Sequence, residues 1–548
     1  MTGRGGGVQR RDLLATLLAT TVSLPAGAAL TQSAPQPAAR PRKGAPNVIF
    51  IVSDQHRAGM TKAEDYPLDT SPALDALARR GVRFENAYAT APLCVPSRCS
   101  MLTGRWPEAH RVRMNLDAHD AFYSQDVYDV AKASGYRTGL AGKNHTYRKA
   151  GQLDFWREYS HVSGYRGANA DPRYAAFDQW MKQLGAGSLS LDPTPFPPEV
   201  QYPYRIVSDA IEFIDGSGDR PFLLQVGFPE PHTPQQVPRP YWDMFPPESV
   251  PPRAAGPEAL ARLGFRARWL YDLEGHDEAP DEANWRRYVS NYLGQLRMID
   301  DQLARLIAHL DERGLTDNTM IVYMADHGDY VMDYGLGRKG VGLPEALIRI
   351  PMVFAGAGIQ PRTFKDVFIS NADFMPSVCE AIGAEIPIGV QGRSLWPLLR
   401  GEEYPAEEFR SIYAGAGVGG VYYDESDAVA AAGGKRSPLA GDTLNKVTQS
   451  GNQQMVRMSE WKLIYDMMGY GQLYHLPSDP AELNNRFGHA DVAETQAKLM
   501  GELAMWAIRN QDSLPTGPQN GKYETKWARP HNWYTPYRRA PIGSAYIP

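Results

Sequence analysis

The run Cys94-Val95-Pro96-Ser97-Arg98 puts a thiol, a proline and a guanidinium within five residues. Proline is tolerated in the first turn of a helix, where its missing N–H costs nothing. The run therefore reads as a helix start with Cys94 at the N-terminus. There the unpaired backbone N–H groups and the helix dipole favour negative charge. Arg98 falls one turn further on, on the same face. A nucleophile activated for an anionic substrate needs this setting. A plain reading competes: Cys94 as a buried thiol, or as half of a disulfide with Cys99. Five residues alone do not separate the two.

Other reactive side chains recur at the ends of apolar runs. Asn47–Val52 ends in Ser53-Asp54-Gln55-His56, and Tyr136–Leu140 leads to Gly142-Lys143-Asn144-His145. Pro221–Phe228 ends in Pro229-Glu230-Pro231-His232, and Thr319–Met324 in Ala325-Asp326-His327-Gly328. Asp54, Gln55, Asp326 and His327 offer oxygen and nitrogen donors, and carboxylates suit a hard divalent cation such as Ca²⁺ or Mg²⁺. Read alone, each pair is weak, and Asp54 is equally a turn or helix cap.

The elements that carry these residues bring them together. Continuous apolar runs are the pattern of strands buried on both faces. Arg83–Ala89 and Pro351–Ala355 read as further strands. Helices are expected from Pro72 to Gly81, over Asp126–Ser134, over Ile206–Ile214 and over Tyr288–Arg313. The last has an apolar stripe of Leu296, Ile299, Leu303, Leu306, Ile307 and Leu310, capped by Gly314. This alternation predicts an α/β fold with a large, mostly parallel central sheet flanked by helices. In such sheets the ligand crevice lies outside the carboxyl ends of the strands. The four polar strand ends are thus expected to meet there, beside the Cys94 turn.

Beyond about residue 405 the pattern changes. Met455–Met458, Trp461–Tyr465 and Gln472–Leu476 are short strands with turns between them, followed by a helix over Asp491–Arg509 and an aromatic, basic tail. They predict a smaller antiparallel sheet plus helix, giving domains at 46–405 and 406–548. Residues 151–205 read as an insertion rich in Trp, Tyr and Arg, either a surface excursion packed by its own aromatics or a wall of the substrate pocket. Residues 415–440 are Gly/Ala-rich and read as a loop.

Composition limits the function classes. The 548 residues are 43% hydrophobic and 22% charged, the balance of a soluble globular protein. A net charge of −5 gives no general attraction for nucleic acid, so an anionic substrate must be drawn in locally. Three cysteines make no disulfide framework. Arg10-Arg11, a short apolar run to Leu24 and the small residues after Pro25 read as a twin-arginine export signal with linker over residues 1–45. That run is short, rich in Ala and Thr, and broken by Pro25. The expected protein is therefore periplasmic or secreted and not an integral membrane protein.

Six motifs in order resemble the formylglycine-dependent (type I) sulfatases, of the alkaline phosphatase-like superfamily. They are Asn47–Gln55, Cys94–Arg98 with Leu102-Thr103-Gly104-Arg105, Gly142–His145, Pro231–Pro234, Asp326–Asp329 with Gly335–Gly340, and Leu473–Asn485. The resemblance implies that Cys94 is oxidised to formylglycine by a maturing enzyme. One hydroxyl of the aldehyde hydrate would attack sulfur, and the other would release sulfate as the aldehyde re-forms. It implies metal ligation by Asp54, Gln55, Cys94, Asp326 and His327, with Ca²⁺ favoured and Mg²⁺ the alternative. Gln55 stands where many members have a second aspartate, which implies weaker or different metal binding. Arg98 would hold the nucleophile, Lys143 and Lys339 the sulfate oxygens, His145 would move protons on the nucleophile, and His232 would protonate the leaving oxygen. The implied activity is hydrolysis of a sulfate ester, of a small molecule or a saccharide. A phosphonate monoester or phosphodiester hydrolase and a non-catalytic sulfated-glycan-binding relative are the competing readings.

Overall fold

The computed structural model describes residues 44–511, apart from 116–117, 168–169, 264–266, 269, 272–283, 341 and 418–451. The expected export segment up to residue 43, most of the 415–440 loop and the aromatic tail lie outside the described residues. No described helix is long and apolar enough to cross a membrane.

Twelve strands are described: β1 (Asn47–Asp54), β2 (Val82–Tyr88), β3 (Arg137–Lys143), β4 (Phe155–Tyr159), β5 (Phe222–Pro231), β6 (Thr319–Ala325), β7 (Met352–Ala355), β8 (Arg362–Ser370), β9 (Ser411–Ala416), β10 (Gln453–Met458), β11 (Trp461–Asp466) and β12 (Gly471–His475). The first eight form one sheet in the order β4-β3-β5-β1-β6-β7-β2-β8. All its pairings are parallel except those of β7, which runs antiparallel to both β6 and β2. A parallel return needs a crossover, usually a helix. Only the four-residue helix Glu345–Ile348 and one turn of 3₁₀ helix lie between β6 and β7, so the chain comes straight back.

β1 shows why the sheet is central. Val48, Phe50 and Val52 pack into one layer with the helices Val127–Ala133 and Phe374–Ile382. Ile49 and Ile51 pack into the opposite layer with the helices Tyr202–Asp215 and Trp285–Glu312. Alternate side chains thus bury both faces, as the unbroken apolar run requires. β1 lies between β5 and β6, and β3 lies beyond β5, so Asp54, His232, Asp326 and Lys143 all leave the same edge of the sheet. Gly142 makes the β3–β5 approach possible: with φ 113, a Cβ there would fall 1.9 Å from Gly227 O.

Three strands go beyond the sequence reading. β4 lies inside the 151–205 insertion and extends the sheet edge beside β3. β8 is masked in sequence by its exposed Arg362, Thr363, Lys365 and Asp366. β9 completes the second sheet, which is antiparallel throughout in the order β12-β11-β10-β9. The helix Ala493–Asn510 follows it.

A buried ion cluster ties this second sheet to the first. Lys462 on β11 has no exposure and lies 3.1 Å from Glu345 Oε1 and 2.8 Å from Glu482 Oε1. Arg457 on β10 and Tyr88 on β2 both donate to Glu345 Oε2. The two carboxylates diverge. Burial disfavours the charge of both, but Lys462, Arg457 and Arg349 together hold Glu345 down at about 2. Glu482 is pushed up by burial, against the pull of Lys462 and with Glu345 beside it. Removing one partner of a buried pair strands the other charge, at about 3–5 kcal/mol. Lys462→Met is expected to lose stability of that order in urea unfolding at neutral pH. The deficit should narrow as pH falls below neutrality, because burial already raises Glu482 and loss of Lys462 raises it further, so the stranded acid takes a proton. A pH-independent deficit would contradict this account.

Candidate active site

The helix Cys94–Thr103 begins where the sequence places it, and every residue in it is buried. Its motif residues lock it against the sheet edge. Ser97 Oγ donates to the backbone carbonyl of Asp326 at the end of β6, and accepts from Asn371 Nδ2 at 2.6 Å. Ser100 Oγ lies 2.9 Å from His110 Nε2 and accepts from Thr90 Oγ1 at 2.8 Å. Gly104, at φ 64, closes the helix in the left-handed conformation that a C-terminal glycine supplies. The helix start therefore cannot slide, and Cys94 is aimed into the strand ends. All three cysteines are buried and outside any disulfide, so Cys94 is not bonded to Cys99.

Cys94 Sγ lies 3.2 Å from His327 Nε2 and 3.6 Å from Asp54 Oδ1. Asp54, Cys94, Asp326 and His327 each offer one donor atom, and these atoms all fall within 4.8 Å of one another. The set fits a divalent cation. His327 Nδ1 lies 2.8 Å from Gly328 O, which can only accept, so the proton sits on Nδ1 and the Nε2 lone pair is left for a metal. Burial first, with Lys339 and Lys143 adding and Asp326 opposing, lowers His327 to about 4, so the ring is neutral at neutral pH. Gln55 lies beside this donor set and is tied to Asp326, Asp329 and Lys339. Its backbone N–H donates to Asp326 Oδ1 at 3.1 Å, its Nε2 donates to Asp329 Oδ2 at 2.6 Å, and its Oε1 accepts from Lys339 Nζ at 2.8 Å.

Two cations, Arg98 and Lys143, contact the carboxylates of the donor set. Arg98 Nε donates to Asp326 Oδ2 at 2.8 Å, and Arg98 Nη2 lies 3.7 Å from Asp54 Oδ2. Lys143 Nζ is in direct contact with Asp54 Oδ2. Arg98, His327 and Lys143 outweigh burial and hold Asp326 well below the usual carboxylate range. Asp329 has weaker support, and burial pushes it up to about 6. Lys339 Nζ also reaches His232 Nε2, at 3.2 Å. His232 Nδ1 lies 2.7 Å from Thr233 O, so its proton, like that of His327, is committed to a backbone carbonyl. His145, at φ 50, has its Nδ1 buried and unbonded, and burial with nearby Lys143, Arg98 and Lys339 holds it well below the usual imidazole value. Gln55, at φ 70, makes the same sharp left-handed turn at the end of β1. Such backbone strain concentrates at functional sites.

The sequence reading missed His161. It lies in the insertion, yet its Nε2 is 2.9 Å from Lys143 Nζ and its ring stacks on His232 at 3.8 Å between centroids. Phe177, Trp180, Phe196 and Tyr202 pack on one another, while His161 reaches the site. Asp329, the anchor of Gln55, was read only as part of the Asp326–Asp329 motif.

The histidines make a pH prediction. His56, His110, His145, His161, His232 and His327, six in all, are held below the usual imidazole value, first by burial. Unfolded, each titrates near 6.5. At these rings the unfolded chain binds more protons than the folded one between about pH 6.5 and 4, so their contribution to stability falls as pH falls through that window. Buried Glu230, pushed up to about 8, and Asp300, pushed up to about 7, act in the opposite direction, so the rings are tested one by one. Ring-proton NMR of the folded protein is expected to show these six imidazoles still neutral at about pH 6. Rings that titrate near 6.5 in the folded protein would contradict their buried, neutral state.

Comparison with known proteins agrees with this geometry. Residues 46–384 match the family model described as Sulfatase. The "Multifunctional alkaline phosphatase superfamily protein PehA" of Trinickia caryophylli is 29% identical, over 86% of this chain and 96% of its own length. The choline-sulfatase of Rhizobium meliloti is 26% identical, over 92% of this chain and 95% of its own length. In fold, the phosphonate monoester hydrolase of Agrobacterium radiobacter superposes with a TM-score of 0.68 at 22% identity, covering 85% of this chain and 96% of the other. A chain solved with its substrate D-glucosamine-2-N,6-O-disulfate superposes with a TM-score of 0.63 at 21% identity, covering 85% of this chain and 98% of the other. The polar strand ends, the Cys94 helix and the match over most of the catalytic sheet lead to one conclusion: the chain belongs to the sulfatase family, on an alkaline phosphatase-like fold, and is a hydrolase of that family.

Proposed function

We propose that the protein hydrolyses a sulfate ester through formylglycine made from Cys94, with a divalent cation held by Asp54, Asp326 and His327. The observation that carries this reading is the buried donor set at Cys94 ringed by three cations, Arg98, Lys143 and Lys339. Two carboxylates share the site with these cations, so a bound divalent ion leaves a net positive pocket for an anionic ester. The cation supplies charge neutralisation at the ester oxygens, and the aldehyde hydrate supplies paired hydroxyls, one to attack and one to expel sulfate.

The chain's own residues do the rest. Arg98 orients the nucleophile at the helix start. Lys143 and Lys339 meet the sulfate oxygens. His145 takes the proton of the nucleophile, since its buried Nδ1 is uncommitted. His232 works with Lys339: its Nε2 lone pair faces the lysine, so protonation of the leaving oxygen involves both. The substrate class favoured is a sulfated small molecule or saccharide. Ca²⁺ is the favoured ion, Mg²⁺ the alternative. We further propose that a formylglycine-generating enzyme modifies Cys94 before export through the twin-arginine segment, to the periplasm or outside the cell.

A second reading is a phosphonate monoester or phosphodiester hydrolase. It is supported by the fold shared with the phosphonate monoester hydrolase of Agrobacterium radiobacter and by the resemblance to PehA, described as multifunctional. A non-catalytic glycan-binding relative fits less well, because the proposed proton carriers His145 and His232 accompany the cations.

Two measurements test these readings. The CH₂–SH to CHO change removes about 18 Da, so the Cys94 peptide is expected to be lighter by that mass, and Cys94→Ala to lose at least about 10³-fold in turnover with its thermal unfolding unchanged. An unmodified peptide from fully active protein would overturn the mechanism. Rates on an aryl sulfate and an aryl phosphodiester, each with and without exhaustive chelation, are expected to favour the sulfate and to collapse on chelation. A faster phosphodiester reaction would establish the second reading, and an unchanged chelated rate would remove the cation.

A further inference from the structure

His161 is outside every motif that carries the family resemblance, yet it touches two of the residues expected to handle the substrate. Its position follows from the fold. β4 runs parallel to β3 at the sheet edge, with Lys143 paired in register with Tyr159. The chain leaves β4 through Ser160, which closes a tight turn with Ser163: Ser160 N–H donates to Ser163 O at 2.7 Å, and Ser163 N–H donates to Ser160 Oγ at 3.1 Å. His161 is the first residue of that turn. Its place two residues beyond Tyr159 returns its ring over the carboxyl end of β3, onto Lys143.

The contact has a defined direction. An ammonium only donates, so His161 Nε2 accepts the Lys143 N–H at 2.9 Å, and the ring proton sits on Nδ1. That Nδ1 is buried and lacks a hydrogen-bond partner. The ring face is used as well, lying 26° from parallel on His232 at 3.8 Å. His232 in turn accepts from Lys339. His161 therefore joins the Lys143 arm of the site to the His232–Lys339 arm.

The electrostatics give this contact a purpose. Lys143 Nζ is drawn to Asp54 Oδ2, and Asp54 belongs to the donor set. A divalent cation on Asp54 and an ammonium on the same carboxylate repel each other. A neutral acceptor outside the donor set can hold Lys143 without that conflict, and His161 Nε2 is such an acceptor. We propose that His161 is a positioning residue for anion binding: it keeps Lys143 directed at the substrate's charged oxygens when the cation occupies Asp54, and it backs the ring of His232. The proposal rests on the esterase reading above for its substrate, but the anion-holding role stands on the Lys143 contact itself.

Three variants separate the parts of this role. His161→Ala removes acceptor and ring, His161→Phe keeps the stacked ring without the acceptor, and His161→Gln keeps an acceptor near the Nε2 position without the ring. The measurements are kcat and KM on whichever aryl ester the wild type turns over, and the Kd of inorganic sulfate by calorimetry with the cation present. His161→Ala is expected to weaken sulfate binding and raise KM by about thirtyfold, as loss of a charge-assisted contact does, with a smaller fall in kcat. His161→Gln should recover most of the affinity, and His161→Phe should not. Recovery by Phe but not Gln would show that ring packing alone matters and would overturn the proposal, as would His161→Ala within twofold of wild type. If the Ala variant does not fold, the Gln and Phe pair decides. Inactivity of the wild type on both esters would count against the proposed ester substrates alone, because the sulfate Kd values still test His161.

Discussion

Two buried carboxylates set the terms for this site. Asp54 and Asp326 have no exposure, and they end adjacent strands whose preceding residues, Ser53 and Ala325, are paired in register. Burying a carboxylate costs several kcal/mol unless the charge is matched. The fold matches it with groups from two other elements. Arg98 comes from the Cys94 helix and Lys143 from the end of β3. The position of Arg98, one turn after Cys94, follows from this. The same helix must present the reactive atom at its start and deliver a guanidinium to Asp326 one turn deeper. Ser97, between them, binds the backbone of Asp326 and fixes the distance.

The histidines obey a second constraint, the choice of tautomer. His232 and His327 each donate Nδ1–H to a carbonyl one residue on, Thr233 O and Gly328 O. The device is local and independent of solvent, and in both cases it frees Nε2 to face the site. Burial and the surrounding lysines keep these rings neutral. A neutral imidazole is a ligand and an acceptor, not an acid, until an anion arrives. An anionic ester would change that balance, since nearby negative charge favours the protonated ring. In the proposed reaction, proton transfer would thereby be coupled to substrate binding.

Much of this was legible because the functional residues sit at the ends of patterned elements. The apolar runs before Asp54 and Asp326 announce strands buried on both faces, and ligand crevices lie at strand ends. Pro96 and Gly104 mark the bounds of the Cys94 helix. Where pattern is absent, so was the reading. β7 is four residues long, and its reversed direction depends on the lack of a crossover helix, which no residue of β7 encodes. β8 exposes its first half to solvent, which breaks its apolar signature. His161 follows a strand of five residues whose partly exposed middle hides the alternation, so its nearness to Lys143 emerges only from the pairing of β3 and β4.

Gln55 shows how a single departure from the family pattern is accommodated. Its carboxamide lies between an acid and a base, giving N–H to Asp329 and taking one from Lys339. A carboxylate there could satisfy Lys339 but would face Asp329 as a like charge, next to Asp54 and Asp326. The amide satisfies both neighbours because it carries a donor and an acceptor on one planar group. It also removes one negative charge from the site while Lys339 remains. In the proposed site a cation would then be held by less charge, and an anion would meet a more positive pocket. The amide leaves undisturbed the backbone N–H that ties β1 to Asp326.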